Sequence, residues 1–154
     1  MLTFDDIENA NGTAPAVLTD YHGLVWVSMG YINISLVPTS GYDNMRASGV
    51  FIGVFKEPVT FTPSTTNKII TLNSFVAGAG WSNDVQLTVN GYYLGAQTNT
   101  FAVSLNMTYR TPIRLSWNRL DKVELIPSGS AYIDVGIDNL CITIENDTSN
   151  FSSF

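Results

Sequence analysis

Residues 68–94 read KIITLNSFVAGAGWSNDVQLTVNGYYL, which is two apolar runs separated by a corner rich in Gly and Asn. In the second run, Val85, Leu87 and Val89 alternate with polar residues, a period of two that is typical of a half-buried β-strand. The first run is more continuously apolar and breaks at Gly78. Two long strands of this kind are predicted to lie at the centre of a sandwich of two sheets.

Shorter apolar-alternating runs occupy most of the remaining chain, and Gly, Pro and Asn mark the corners between them. The first predicted strand is 2–7 and the last is 131–144. No stretch of the chain shows a clear helical period, and the runs amount to roughly nine to eleven strands. The pattern predicts an all-β protein, a single antiparallel β-sandwich domain over residues 1–145 with a polar C-terminal tail at 146–154.

The charge content of the chain limits its partners. Charged residues make up 13% of the 154 residues, hydrophobic residues 45%, and the net charge is −6. Nucleic-acid binding is disfavoured because the basic residues form no cluster, and no apolar run approaches the roughly 20 residues of a membrane-spanning helix. A weakly charged surface favours association with further copies of the chain, but many monomeric extracellular β-domains share this composition. The basic residues are Arg46, Lys56, Lys68, Arg110, Arg114, Arg119 and Lys122.

The chain carries no recognisable catalytic motif. His22 is the only histidine and Cys141 the only cysteine, and neither lies in a sequence context typical of a nucleophile–base arrangement. Cys141 is predicted to be a buried, inert thiol, since it follows an apolar run. Acidic residues fall mostly at predicted strand ends, where solvation explains them. We therefore expect a protein that is not an enzyme.

Five N-x-S/T sequons indicate N-linked glycosylation and therefore an extracellular location. The sequence starts without a leader pattern, so we expect a secreted chain whose signal peptide lies outside it. Chance alone would give roughly two or three sequons in a chain so rich in Asn, Ser and Thr. The predicted glycosylation sites are Asn11, Asn33, Asn106, Asn146 and Asn150.

The order of several short motifs resembles a known group of proteins. These motifs are LTFDD at 2–6, YHGLVW at 21–26, WSNDVQLTVNGY at 81–92, LSW at 115–117 and IDNL at 137–140. In this order they resemble secreted jelly-roll domains of bacterial PEP-CTERM-type exported proteins and of extracellular proteins of microbial eukaryotes. The resemblance spans about Leu2 to Ile144. It implies a jelly-roll sandwich similar to carbohydrate-binding modules, and no enzymatic activity.

The resemblance also implies a structural calcium site where the first and last strands meet. Asp5 and Asp6 lie at the end of the first predicted strand, and Asp138 and Asn139 lie in the last. Ca²⁺ takes six to eight oxygen ligands, which these side chains and nearby carbonyl groups could supply. The alternative is that the same side chains cap turns by accepting backbone N–H hydrogen bonds.

Exposed aromatic rings are the residues that would bind a carbohydrate, because sugars stack their apolar faces on them. Candidates lie in or near predicted turns, whereas Trp26 and Trp117 lie within alternating strands and are predicted to be core residues. A core position is the alternative for each candidate ring too, and Tyr92 and Tyr93 must face opposite sides of their strand. The candidate rings are Trp81, Tyr21, Tyr42, Tyr92 and Tyr93.

Two functions are compatible with these features. The first is a non-enzymatic, glycosylated structural subunit that associates with copies of itself into a fibril or surface layer, through the terminal segments. The second is a carbohydrate-binding module or an adhesin domain, in which Trp81 and nearby tyrosines bind sugar and Ca²⁺ supports the fold.

Overall fold

The computed structural model describes residues 1–7, 10 and 16–151. Ten antiparallel strands account for most of this chain, together with one short α-helix, α1 (Tyr42–Met45), and 3₁₀-helices at Ile34–Leu36 and Thr148–Phe151. The prediction of an all-β, antiparallel fold is confirmed. The strands are β1 (Ala16–Tyr21), β2 (Leu24–Asn33), β3 (Phe51–Phe55), β4 (Val59–Pro63), β5 (Lys68–Ala79), β6 (Val85–Tyr93), β7 (Ala96–Leu105), β8 (Thr111–Leu120), β9 (Lys122–Gly129) and β10 (Val135–Asn146).

The strands form one continuous sheet that folds over on itself. Their order is β7-β6-β9-β4-β2-β3-β10-β5-β8, and β1 pairs with β2 off this path. Strand β2 is the corner, since its residues 24–27 pair with β4 and its residues 30–33 pair with β3. Ser28 lies between these halves with a left-handed φ of 65°. The chain bends there, so that β4-β9-β6-β7 and β3-β10-β5-β8 become the two layers of a sandwich.

The two strands that dominate the sequence pattern lie in opposite layers. Strand β5 pairs with β10 and β8, and β6 pairs with β7 and β9, so the two strands are not hydrogen-bonded to each other. Their alternating residues meet inside the sandwich: Leu72, Leu87 and Val89 are all fully buried. Trp26 is also buried and packs on Phe61, as expected for a core residue. Trp117 is half-buried against the same core.

A second, smaller core lies on the outer face of β2 and β3. The segment from residue 34 to 48, which contains α1, crosses this face and packs Tyr42 and Met45 onto Ile32 and Ile52. Strand β3 is therefore covered on both sides, which explains why its sequence FIGVF is apolar without interruption. The close packing needs a glycine at 136, because a Cβ atom there would come within 2.9 Å of both Tyr42 and Ile52.

Two predicted strand boundaries are wrong. The N-terminal strand at 2–7 is reduced to one bridge between Leu2 and Leu140, after which Phe4 adopts a left-handed φ of 63° and the chain turns. Strand β10 begins at Val135 rather than at 131. At the N-terminus, Asp5 and Asp6 bond to other segments, and before β10 the Asp134 carbonyl accepts the N–H of Gly80. Within the described residues, no helix has the length and apolarity needed to cross a membrane.

Candidate functional site

An open groove lies on the outer face of the sandwich, beside the segment that carries α1. Its volume is about 530 Å³. The floor is apolar and is formed by β2 and β3, where the largely buried Ile32 and Val54 lie between the strands and the crossing segment. We call it the Trp81 groove. It is lined by Val17, Ser28, Met29, Gly30, Ile32, Val37, Tyr42, Val54, Phe55, Lys56, Glu57, Trp81 and Asp134.

Trp81 forms the aromatic wall of this groove. It follows β5 after Gly80, and 42% of its surface is exposed. Its ring packs edge-on against Tyr42, with centroids 6.2 Å apart and an interplanar angle of 77°. Tyr42 is itself buried. The preceding residue, Gly41, donates its N–H to the carbonyl of Gly80 at 2.7 Å. The contact with buried Tyr42 therefore fixes the indole, while part of the indole stays exposed to solvent.

Polar and charged side chains line the rim of the groove. Asp134 lies beside Trp81, because its carbonyl accepts the N–H of Gly80 at 3.0 Å. Burial raises the pKa of Tyr42, and the nearby charge of Asp134 raises it further. Lys56 and Glu57 enter from the end of β3. The rim thus presents carboxylates that accept hydrogen bonds and an ammonium group that donates them.

Tyr132 extends the aromatic surface next to the groove. Tyr132, Trp81 and Asp134 together line an adjoining shallow hollow of about 360 Å³. Tyr132 is 73% exposed and has a left-handed φ of 49°. The two exposed rings and Asp134 thus line one hollow on this side of the molecule.

Of the aromatic residues singled out from the sequence, only Trp81 and Tyr42 line the groove, and only Trp81 is exposed there. Tyr21 is buried instead: its ring stacks on Phe4 with centroids 5.5 Å apart. The hydroxyl of Tyr21 accepts the N–H of Phe4 and donates to Asp6. Tyr21 is therefore part of the core that holds the N-terminal turn, and its ring face is not available to a sugar.

Tyr92 and Tyr93 lie at the end of β6, away from the groove, and each is covered by a cation. The Lys122 ammonium lies 4.2 Å from the centre of the Tyr92 ring, and the Arg119 guanidinium lies 4.9 Å from that of Tyr93. The Tyr92 hydroxyl donates to Glu124, which raises the pKa of Tyr92. Both rings are thus occupied by contacts within the chain.

Of the four residues predicted to bind calcium, Asp5, Asp138 and Asn139 lie around Ser48, whereas Asp6 lies apart from them. Asp5 accepts the N–H groups of Val50 and Phe51 at 2.8 and 2.9 Å. Asp138 accepts those of Ala47, Ser48 and Asn139, and the Ser48 hydroxyl donates to Asn139. These hydrogen bonds fasten the loop after α1 to the N-terminal turn and to β10.

Asp6 points elsewhere, toward Tyr21 and His22. The Nε2 atom of His22 lies 2.7 Å from its carboxylate. The hydrogen bond from the Tyr21 hydroxyl, assisted by His22, lowers the pKa of Asp6. The exposed contact between His22 and Asp6 contributes little to stability by itself.

The donor set as placed does not fit a cation well. Oδ1 of Asp5 and both carboxylate oxygens of Asp138 accept backbone N–H groups, whose hydrogens would repel a metal ion. Within the described part of the chain, no three His, Cys, Asp or Glu side chains come together as a metal site. This arrangement matches the alternative of turn-capping carboxylates, and calcium stays a prediction from the resemblance.

The predicted glycosylation sites are dispersed. Asn33 and Asn106 each start a turn in which the side-chain oxygen accepts the N–H two residues later. Asn146 is exposed at the end of β10. Asn150 lies in the last 3₁₀-helix, and Asn11 lies outside the described residues.

Four charged or exposed aromatic residues at or beside the groove were not predicted from the sequence: Lys56, Glu57, Tyr132 and Asp134. The sequence pattern places Tyr132 in the last strand, although the preceding Ser-Gly-Ser at 128–130 is a turn pattern, which is a signal for an exposed ring. Lys56 and Glu57 follow β3 as an ordinary polar turn. Nothing in their local sequence distinguishes them, because the groove forms from distant segments.

Comparisons with known proteins give a limited likeness of shape. No protein-family model matches the chain, and no curated protein sequence matches it either. One similar solved structure is TmCBM61 in complex with β-1,4-galactotriose, with a TM-score of 0.44, 10% identity, and coverage of 82% of this chain and 90% of that chain. Another is the enzymatically active domain of bacteriophage CBA120 tailspike protein 4, with a TM-score of 0.42, 10% identity, and coverage of 85% of this chain and 21% of that one.

The resemblance to PEP-CTERM-type and microbial eukaryotic exported proteins finds no support in these comparisons. Structural similarity at 10% sequence identity does not indicate function, so the function has to be inferred from the groove.

Proposed function

We propose that the chain is a carbohydrate-binding domain and that the Trp81 groove is its binding site. The observation that carries this proposal is the half-exposed indole of Trp81, fixed edge-on by the buried Tyr42 at the mouth of a groove of about 530 Å³. A pyranose presents an apolar C–H face and a rim of hydroxyl groups. The aromatic wall suits the former, and the polar rim suits the latter.

The rim favours a sugar over a purely apolar ligand. Asp134 and Glu57 can accept hydrogen bonds from sugar hydroxyl groups, and Lys56 can donate one. A lipid chain would leave these charged groups desolvated and without partners, which is costly. Because the rim carries two carboxylates and one ammonium group, we expect a neutral sugar to be preferred over an acidic one.

A glycan array tests this proposal, followed by titration of the best binders while Trp fluorescence is recorded. We expect at least one neutral oligosaccharide to bind and to change the Trp emission, since the indole would leave water on stacking. A chain that binds no glycan on the array and shows no change in emission would contradict the proposal.

We further propose that the protein acts outside the cell as a non-enzymatic glycoprotein. The support is the sequons, of which Asn33 and Asn106 lie in turns and Asn146 is exposed. Treating the protein from its native source with an N-glycosidase should reduce its mass. A mass equal to that of the bare chain before treatment would argue against glycosylation.

Assembly into a fibril or surface layer is not favoured by the described structure. The segments expected to carry it are the N-terminal strand and the C-terminal tail. The N-terminal segment is instead tied to the same chain, since Leu2 exchanges backbone hydrogen bonds with Leu140 and Phe4 is buried. Asp147 in the tail accepts the hydroxyl of Tyr93 at 2.8 Å.

A further inference from the structure

We propose that the free edge of β7 binds the β7 edge of a second copy, giving a closed two-fold dimer. Strand β7 is ten residues long and pairs only with β6 among the described residues. Its other edge therefore presents a row of backbone N–H and C=O groups without strand partners. Such an edge accepts a further strand unless the sequence prevents it.

The inner face of β7 is incompletely covered, as expected of a strand whose free edge pairs with a strand of another chain. Phe101 and Val103 face the core because they lie opposite the fully buried Val89 and Leu87. Yet Phe101 is 36% exposed, while Val89 is 0% exposed. A strand added at this edge would cover the open side of the ring and bury apolar surface that the single chain leaves in water.

The charge distribution fits a second copy of the same chain. From Val85 to Tyr109, a stretch that includes all of β6 and β7, the sequence contains no Lys, Arg, Asp, Glu or His. The copies each carry a net charge of −6, so they repel one another at most orientations. The β7 edge is where two copies can approach without placing like charges face to face.

The other edges are protected against the same pairing. The β8 edge contains Pro112, Arg114 and Arg119, and its Ser116 and Arg119 have left-handed φ values of 53° and 54°. A proline lacks the N–H donor, and the left-handed residues interrupt a regular ladder. Strand β1 is short, has a register shift after Leu18 and carries an exposed Asp20.

This asymmetry decides the kind of assembly. A filament needs two different compatible edges, one on each side of the subunit, whereas one open edge gives an isologous pair that closes on itself. In the register that stacks the two half-exposed rings, Phe101 lies opposite Phe101 of the second copy. Thr100 then lies opposite Ala102 of the second copy, on the outer face.

The proposal is tested with paired charge variants of β7. The double variants Thr100→Lys/Ala102→Lys and Thr100→Glu/Ala102→Glu each place like charges across the two-fold axis. The wild-type chain should sediment at twice its 16.8 kDa mass at high concentration. Each double variant should weaken dimerisation at least tenfold, and their mixture should restore a dimer with one chain of each kind.

Matched controls separate pairing from folding. Asn118→Lys/Thr65→Lys adds the same charge at exposed positions away from β7 and should leave dimerisation unchanged. Circular dichroism checks that every variant is folded. A wild type that stays monomeric at all concentrations would overturn the proposal, as would a wild type whose mass keeps growing, or lysine and glutamate variants that still form homodimers.

A cysteine variant tests the register and does not depend on the charge variants folding. Residues directly opposite in an antiparallel pair are close enough for a disulfide. Mild oxidation should therefore cross-link Phe101→Cys into a covalent dimer, whereas the exposed control Thr65→Cys should stay monomeric. Equal cross-linking of both variants, or of neither, would overturn the proposed pairing.

Discussion

Replacing Asp138 with alanine is expected to lower the free energy of unfolding by about 4 kcal/mol, because its carboxylate is a buried hub of hydrogen bonds. Asp138 is 0% exposed and accepts the N–H groups of Ala47, Ser48 and Asn139 at 2.9, 3.0 and 2.7 Å. Alanine would leave these donors without an acceptor. Chemical denaturation monitored by circular dichroism measures the change.

The conservative variant Asp138→Asn separates the hydrogen bonds from the charge. Its amide oxygen can still accept two N–H groups, so we expect a loss of about half that of Asp138→Ala. Exposed Asp20→Ala is the control and should change the unfolding free energy by less than about 0.5 kcal/mol. A loss for Asp138→Ala no greater than that of the control would show that the loop after α1 is held by other contacts.

The difference in unfolding free energy between the wild type and Asp138→Asn is expected to depend on pH, with a definite sign. Burial raises the pKa of Asp138 above its usual value of 3.8, although the backbone N–H groups oppose this shift. The folded state therefore holds this proton more tightly than the unfolded state. The stability advantage of wild type over Asp138→Asn should be fully present below pH 3.8 and should decrease as the pH rises through the raised pKa. An advantage that grows with pH would contradict this assignment.

The strands were predictable because each is a local pattern, whereas the way they pair is not. Val85, Leu87 and Val89 alternate and are all buried, as the sequence indicates. The sequence did not show that β5 and β6 lie in opposite layers, because this depends on the bend at Ser28 and on contacts between distant segments. Serine at a left-handed φ has no distinctive sequence pattern, so the corner of the sandwich could not be located.

The candidate site was only partly predictable for the same reason. Trp81 stands out beside glycines at a strand end, but its exposure depends on Tyr42, which arrives from a segment about forty residues earlier. The sequence predicts that adjacent Asp5 and Asp6 share one metal site. In the structure their carboxylates turn to different partners, since Asp5 bonds to the loop at 50–51 and Asp6 to Tyr21. Neighbours in sequence need not share a site.

Replacing Trp81 with alanine is expected to weaken carbohydrate binding about thirtyfold, a loss of about 2 kcal/mol. The indole is the aromatic ring that the groove exposes, and alanine would remove the face on which a sugar ring stacks. Because 42% of Trp81 is exposed, the substitution should cost the fold much less than it costs binding. Isothermal titration with the best glycan from the array measures the affinity, and thermal unfolding measures the stability.

Graded variants show whether stacking on this ring is the cause. Trp81→Phe keeps a smaller aromatic face and should retain more affinity than Trp81→Ala, while Tyr132→Ala should cause a milder loss because its ring lies beside the groove. Tyr109→Ala removes a ring that is 59% exposed elsewhere and should leave binding unchanged. If Tyr109→Ala weakens binding as much as Trp81→Ala does, sugars bind to exposed rings in general and the Trp81 groove is not the site. If both variants bind as the wild type does, the sugar is held on another surface, because stacking on this indole would then contribute nothing.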